Sequence, residues 1–328
     1  MSATSLKILT RQLRNLMKGR PVLAIFEVCL RCNSACGYCS LPLNQGRYEM
    51  TRAEIRRVFS ALYANGIRNV FVQGGEPLVR RDLADVLEDL AEVGLGLSLV
   101  TNGTRFTPEL VARLAKLPIT IAVSLDTLNR DRYRRIRGAD HLLRVLRGIE
   151  LLAEFPHPKF ITCIISEQNR QDVIDVTRFA RDHEFIPVIG VYHWGIEHYG
   201  KIDPALQYER NAAVQVVQEV LDSGLVPRGY FSNYLRDNIR WLKGDSLEPC
   251  DAGRYSITID ASGNVAPCLA LKPFGNLLES TLDEILGAFD REAIKGCSDR
   301  SSCNILCSRV VGSNLRHPIS ALRAWASM

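Results

Sequence analysis

The sequence has no run of about 18 or more apolar residues. Its most apolar early stretch, Val22 to Leu30, is broken by Glu27 and followed by polar residues, which excludes a membrane span and a secretory signal. No repeat recurs at a fixed period, beyond a β/α rhythm, and no segment is of low complexity. With 46% hydrophobic and 23% charged residues over 328 positions, the chain is globular, neither disordered nor fibrous, and long enough for one large or two modest domains. Acids are missing from the first 20 residues, where Lys7, Arg11, Arg14, Lys18 and Arg20 account for the whole net charge of +5. The basicity belongs to this tail, so a broad nucleic-acid surface is not expected. No phosphate-binding Walker loop and no Ser/His/Asp spacing stands out.

Residues 1–20 place Leu6, Leu9, Leu13 and Leu16 at helical spacing with the cations on another face, the pattern of a basic amphipathic helix. It either covers the bottom of the following domain or lies on an anionic membrane surface. From Pro21 to about Leu225, strands are expected at Leu23–Val28, Val70–Gln73, Leu97–Thr101, Ile119–Leu125, Phe160–Ile165 and Val188–Tyr192. Helices are expected between them at Arg52–Ala64, Arg81–Val93, Pro108–Leu114, His141–Phe155 and Arg170–His183. Six such units predict an α/β fold, a partial (β/α)6 barrel over 21–225, with chemistry at the carboxyl ends of the strands. After Gly224 the character changes: helical patterns at Pro204–Leu221 and Tyr234–Leu242 lead to a hairpin, Tyr255–Asp260 against Asn264–Cys268, and a short helix near Thr281–Phe289. Residues 226–328 read as a small C-terminal α+β domain.

Most of the ten cysteines fall in two groups, which reads as metal binding in a reducing cytoplasm and not as disulfides. Cys32, Cys36 and Cys39 lie in the loop after the first strand. Three thiolates suit an iron–sulfur cubane with one iron left open to a ligand, whereas structural zinc wants four ligands and Cys29 is a poorly spaced fourth, better read as a small buried residue. The second group is Cys250 before the hairpin, Cys268 at its end, then Cys297, Cys303 and Cys307. It can hold one cubane with a thiol to spare; structural zinc in the same cage is the alternative.

The three-cysteine loop with Tyr38 just before Cys39 resembles the signature of the radical S-adenosylmethionine superfamily. Gly74-Gly75-Glu76-Pro77 after the second strand is similar to the family's methionine-binding segment, in which glycines let the backbone approach and a carboxylate suits an ammonium. Thr101-Asn102-Gly103 and Ser124-Leu125-Asp126 also match. The resemblance implies Ser124 and Asp126 as contacts to the ribose or methionine carboxylate, although helix-cap and turn roles are as good a reading. The second group resembles the auxiliary-cluster extension called SPASM or Twitch, with Cys250, Cys268 and Cys307 as ligands and Cys303 or Cys297 as the fourth.

The family resemblance implies two [4Fe–4S] clusters, S-adenosylmethionine, a flavodoxin- or ferredoxin-type reductant, and a 5′-deoxyadenosyl radical that abstracts one hydrogen atom, with the protein supplying orientation and dryness. Tyr192, His193, Glu197, His198 and Tyr199 crowd the loop after the sixth strand and are candidates for substrate contact. Cys163, mid-strand, reads as core. The expected substrate is a small metabolite such as a sugar, aminoglycoside or nucleoside. Peptide maturation is the nearest rival, set back by about twenty residues of room before the barrel and by the missing cysteines of a second auxiliary cluster; lipid modification is another. From a different class, an electron carrier or cluster scaffold has no use for a methionine-binding edge.

Overall fold

A computed structural model describes residues 14–44, 46–194, 202–299 and 303–319. Six parallel strands stand in the order β6-β5-β4-β3-β2-β1, comprising β1 (Leu23–Glu27), β2 (Asn69–Gln73), β3 (Gly96–Thr101), β4 (Ile119–Ser124), β5 (Lys159–Ile165) and β6 (Ile186–Val191). Helices α1 (Arg52–Ala64), α2 (Leu83–Val93), α3 (Pro108–Leu114), α4 (Arg130–Arg137), α5 (Leu142–Leu151) and α6 (Val173–Asp182) fill the connections. The partial barrel expected from the β/α rhythm is what forms.

Local chemistry starts the helices where the sequence signals them. Thr51 accepts from the Glu54 backbone N–H while Glu54 reaches back to the Thr51 backbone, a reciprocal cap, and Thr107 caps α3 with Pro108 in the first turn. Within the strands, alternate residues take opposite faces. Phe26 stacks on Phe59 of α1 at 4.8 Å, and Val70, Val72, Leu99, Ile121, Val123 and Ile161 join the same helix-covered core. The intervening positions face the barrel interior. Cys163 is buried on the helix side, in keeping with a core residue.

Three features depart from the sequence expectation. The hairpin does not begin a separate sheet: β7 (Ser256–Ile259) pairs in parallel with β1, Leu23 opposite Ser256, and β8 (Asn264–Ala266), antiparallel to β7, and β9 (Gly275–Asn276), antiparallel to β8, extend one nine-stranded sheet. Helix α4 was not foreseen because its eight residues carry five arginines and no apolar stripe; it is buried through Tyr133, Ile136 and Arg137. After α7 (Arg210–Asp222), α8 (Tyr230–Lys243) and α9 (Leu282–Gly287), two further unforeseen helices follow, α10 (Arg291–Asp299) and α11 (Leu306–Arg316).

Of the N-terminal helix, Leu6, Lys7, Leu9, Arg11 and Leu13 lie outside the described residues. The part that is described docks at the end of the barrel opposite the cysteine loop. Asn15 is buried and donates to the Asn65 carbonyl at 2.8 Å, and Arg20 pairs with Asp283 of α9. Among the described residues no helix is long and apolar enough to cross a membrane.

Candidate active site

The loop carrying Cys32, Cys36 and Cys39 leaves β1 at the carboxyl edge of the sheet and is held from two sides. On one side, Gly75 N–H donates to the Cys29 carbonyl and Glu76 N–H to the Arg31 carbonyl, both at 2.8 Å. The glycine pair is required for this contact. A Cβ on Gly74 would sit 2.4 Å from the Cys29 oxygen and one on Gly75 2.2 Å from the Arg31 oxygen. On the other side, Ala35 N–H and Gly37 N–H donate to the Arg137 and Ile136 carbonyls at the end of α4, at 3.0 and 3.1 Å. Gly138, at φ +63°, turns the chain there against Ala35, where a Cβ would meet the Ala35 oxygen at 2.3 Å.

Glu76 is fully buried, and its carboxylate accepts from Leu78 N–H at 2.9 Å, the Thr101 hydroxyl at 2.5 Å and Asn102 N–H at 2.6 Å. Burial raises its pKa while these donors oppose the rise. The side chain therefore ties the exits of β2 and β3 together at the place where the family resemblance expects the methionine ammonium. Asn102 carries the link onward, donating to Asn33 Oδ1 in the cysteine loop at 2.7 Å. Pro77 opens a short 3-10 turn capped by Glu76.

Asp126 is likewise turned inward. It has no exposure; its Oδ2 lies 2.7 Å from Arg137 Nε and 3.3 Å from the Tyr38 hydroxyl, and its Oδ1 accepts Ile164 N–H at 2.9 Å. The Arg137 guanidinium sits over the Tyr38 ring at 5.6 Å. Asp126 thus forms a buried ion pair that fixes Tyr38, the neighbour of Cys39. Ser124, at the end of β4, remains half-buried on the interior face. Burial pushes the Cys32 thiol up to about 11 and Cys39 to about 12, and the neighbouring thiols add to the rise at Cys39, as does Glu27. Cys29 is buried and donates to the Glu76 carbonyl at 3.3 Å, a structural thiol.

In the second group, Cys250, Cys268 and Cys303 line one pocket walled by Leu271, Ile294 and Ile305. Cys307 opens α11 close enough to Cys250 for the two to interact. Cys297 lies within α10, and its side chain is outside the described residues. Side chains of α8 hold this region: the Tyr234 hydroxyl donates to the Asn304 carbonyl at 2.7 Å and the Tyr230 hydroxyl to the Leu306 carbonyl at 3.0 Å. Among the described residues no three His, Cys, Asp or Glu side chains close on a single metal ion. Both donor sets are all thiol, the chemistry an iron–sulfur cluster takes, and the three-thiol loop suits a cubane with one iron left open where structural zinc wants a fourth protein ligand.

At the mouth, Tyr192 is buried and stacks between Tyr38, at 6.1 Å, and Trp194, at 5.7 Å. His193 points the other way, onto Trp241 at 4.4 Å, and burial lowers its pKa to about 4. Glu197, His198 and Tyr199 lie outside the described residues. Sequence reading missed Arg137, for which the only signal was the glycine after it, and Glu27, whose place at the end of β1 beside Cys39 puts a carboxylate on the interior face.

A parallel barrel with three thiols pinned at its carboxyl edge and a further thiol set on the continuation of its sheet defines an enzyme built around iron–sulfur cofactors. Residues 26–180 match the radical SAM superfamily, and residues 250–309 match SPASM, an iron–sulfur cluster-binding domain. The chain belongs to the radical SAM superfamily and carries a C-terminal SPASM domain, so its cofactors are S-adenosylmethionine, a [4Fe–4S] cluster and auxiliary cluster iron.

It is 32% identical over 166 residues to a probable GTP 3′,8-cyclase of Pyrococcus horikoshii, covering 49% of this chain and 53% of the relative. It is 27% identical over 270 residues to the PqqA peptide cyclase of Rhodopseudomonas palustris, covering 79% of this chain and 70% of the relative. In fold it is similar to Streptococcus suis SuiB bound to S-adenosylmethionine, with a TM-score of 0.69 at 19% identity over 91% of this chain and 73% of that one. The chain spans about half the length of the GTP cyclases it matches.

Proposed function

We propose that this protein cleaves S-adenosylmethionine reductively and takes a hydrogen atom from a peptide, residues 21–225 holding the S-adenosylmethionine cluster and residues 226–328 the auxiliary one. The observation that carries the reading is the loop of Cys32, Cys36 and Cys39, gripped between Gly74-Gly75 and the end of α4 so that three thiols meet the barrel mouth. When bound, the cluster and S-adenosylmethionine supply a hydrogen-abstracting radical. The chain's own residues do the rest. Glu76 and Asn102 hold the loop to β2 and β3, Asp126 and Arg137 fix Tyr38, and Ser124 faces the space where the methionine end belongs. Cys250, Cys268, Cys303 and Cys307 are the auxiliary ligands, Cys303 being favoured over Cys297 by its place in the shared pocket. A flavodoxin or ferredoxin in the cytoplasm is the reductant.

The peptide reading displaces the sugar, aminoglycoside or nucleoside reading for a specific reason. Likeness to the peptide cyclase covers 79% of the chain, whereas likeness to the GTP cyclase covers 49%. The test is anaerobic incubation with deuterated peptides, sugars and nucleosides, reading deuterium in 5′-deoxyadenosine by mass spectrometry. Deuterium arriving from peptides supports the reading; deuterium arriving only from sugars or nucleosides refutes it.

A further inference from the structure

Resting on that reading, we infer that the barrel takes an uncharged peptide side chain and refuses polyphosphorylated nucleotides. The interior-facing positions of the strands show the chemistry. The middle layer is Phe71, Val100, Ala122 and Phe160, and toward the mouth come Gln73, Ser124, Thr162 and Ile164, all half-buried and none ionisable. Deeper, Thr120 donates to Ser98 at 2.9 Å. Among the described strands no interior-facing position is Lys or Arg, and the one charged residue there, Glu27, is an acid.

The buried cations elsewhere are already partnered. Arg137 holds Asp126, Arg80 holds Asp82 and the Val28 and Met50 carbonyls, and Arg68 donates to the Tyr63 carbonyl. Lys159 donates to the Ala153 carbonyl and Arg309 to the Glu248 carbonyl. Among the described strand positions a triphosphate would meet a carboxylate and no cation, and burying such an anion against them unpaired is strongly unfavourable. A neutral side chain finds apolar walls, hydroxyls at the strand ends and the Tyr38–Tyr192–Trp194 aromatic rim.

The test uses the reconstituted holoenzyme with S-adenosylmethionine bound and compares three probes by equilibrium dialysis: acetyl-Gly-Tyr-Gly-amide, acetyl-Gly-Glu-Gly-amide and GTP. The tyrosine peptide should bind at least about tenfold more tightly than the other two, a difference set by one unpaired buried charge. Ala122→Leu, which fills the middle layer, should abolish that preference, and Val100→Phe in the same layer serves if the first variant does not fold. Iron content and S-adenosylmethionine affinity are measured on the same samples. Their absence in the wild type would defeat the radical SAM reading itself. With both intact, GTP binding as tightly as the tyrosine peptide, or the two peptides binding alike, overturns the inference.

Discussion

Gly75 and Arg31 touch backbone to backbone, so closely that a Cβ on the glycine would lie 2.2 Å from the Arg31 carbonyl oxygen. The contact welds the Gly74-Gly75 segment to the first turn of the cysteine loop. Gly75→Ala must push the loop away from β2. Reconstituted anaerobically, this variant should hold about four irons where the wild type holds about eight, because the auxiliary set is untouched. Iron analysis checks it.

Glu76 anchors three donors, so its removal acts on structure before it acts on a ligand. Glu76→Ala leaves the Thr101 hydroxyl and the Leu78 and Asn102 N–H groups buried without their acceptor and should cost about 2 to 4 kcal/mol. Urea unfolding of the apoprotein measures this. A variant of unchanged stability would mean that these three hydrogen bonds do not hold the strand exits together.

The Asp126–Arg137 pair makes a sharper case. Asp126→Asn leaves the buried guanidinium without its charge partner and should destabilise by about 3 to 5 kcal/mol. Asp126→Asn combined with Arg137→Met removes both charges and should recover much of that loss. Equal stability of the single and double variants would contradict the pairing.

The β/α rhythm and the first cysteine group were legible because both are local: a strand or helix declares itself by its own periodicity, and the loop of Cys32, Cys36 and Cys39 by spacing within eight residues. What was not legible depends on partners distant in sequence. The parallel pairing of β7 with β1 joins segments more than two hundred residues apart. Helix α4 is hidden by its arginines, three of which, Arg130, Arg132 and Arg137, are drawn into ion pairs with Asp140, Asp172 and Asp126. For Asp126 and Glu76 the family resemblance implies ligand roles, but their partners within the fold, Arg137 for the one and Thr101 and Asn102 for the other, could not be read from the sequence. The choice between Cys303 and Cys297 rests on the packing of the pocket.

That choice is testable. Cys303→Ala should lower iron from about eight to about four per chain, and Cys297→Ala should leave it at about eight. The reverse result would move the fourth ligand to α10.

His193 provides a pH signature. Its pKa is about 4 in the folded protein against 6.5 for an ordinary histidine, and burial is the chief cause. The unfolded chain therefore binds the extra proton first, and stability is lost as pH falls through the window from 6.5 to about 4, by up to about 3 kcal/mol. His193→Gln should flatten this part of the stability profile, measured by urea unfolding at successive pH values. Parallel profiles for variant and wild type would mean that His193 stays accessible to water.

The central claim is that the loop of Cys32, Cys36 and Cys39 is where S-adenosylmethionine is cleaved. Anaerobic reaction with a low-potential reductant, followed by chromatographic measurement of 5′-deoxyadenosine, tests it directly. Wild-type protein should release 5′-deoxyadenosine, while the triple variant Cys32→Ala, Cys36→Ala, Cys39→Ala should release none yet retain about four irons in the auxiliary site. Equal release from the two proteins, or none from a wild type carrying its full iron, would contradict the account.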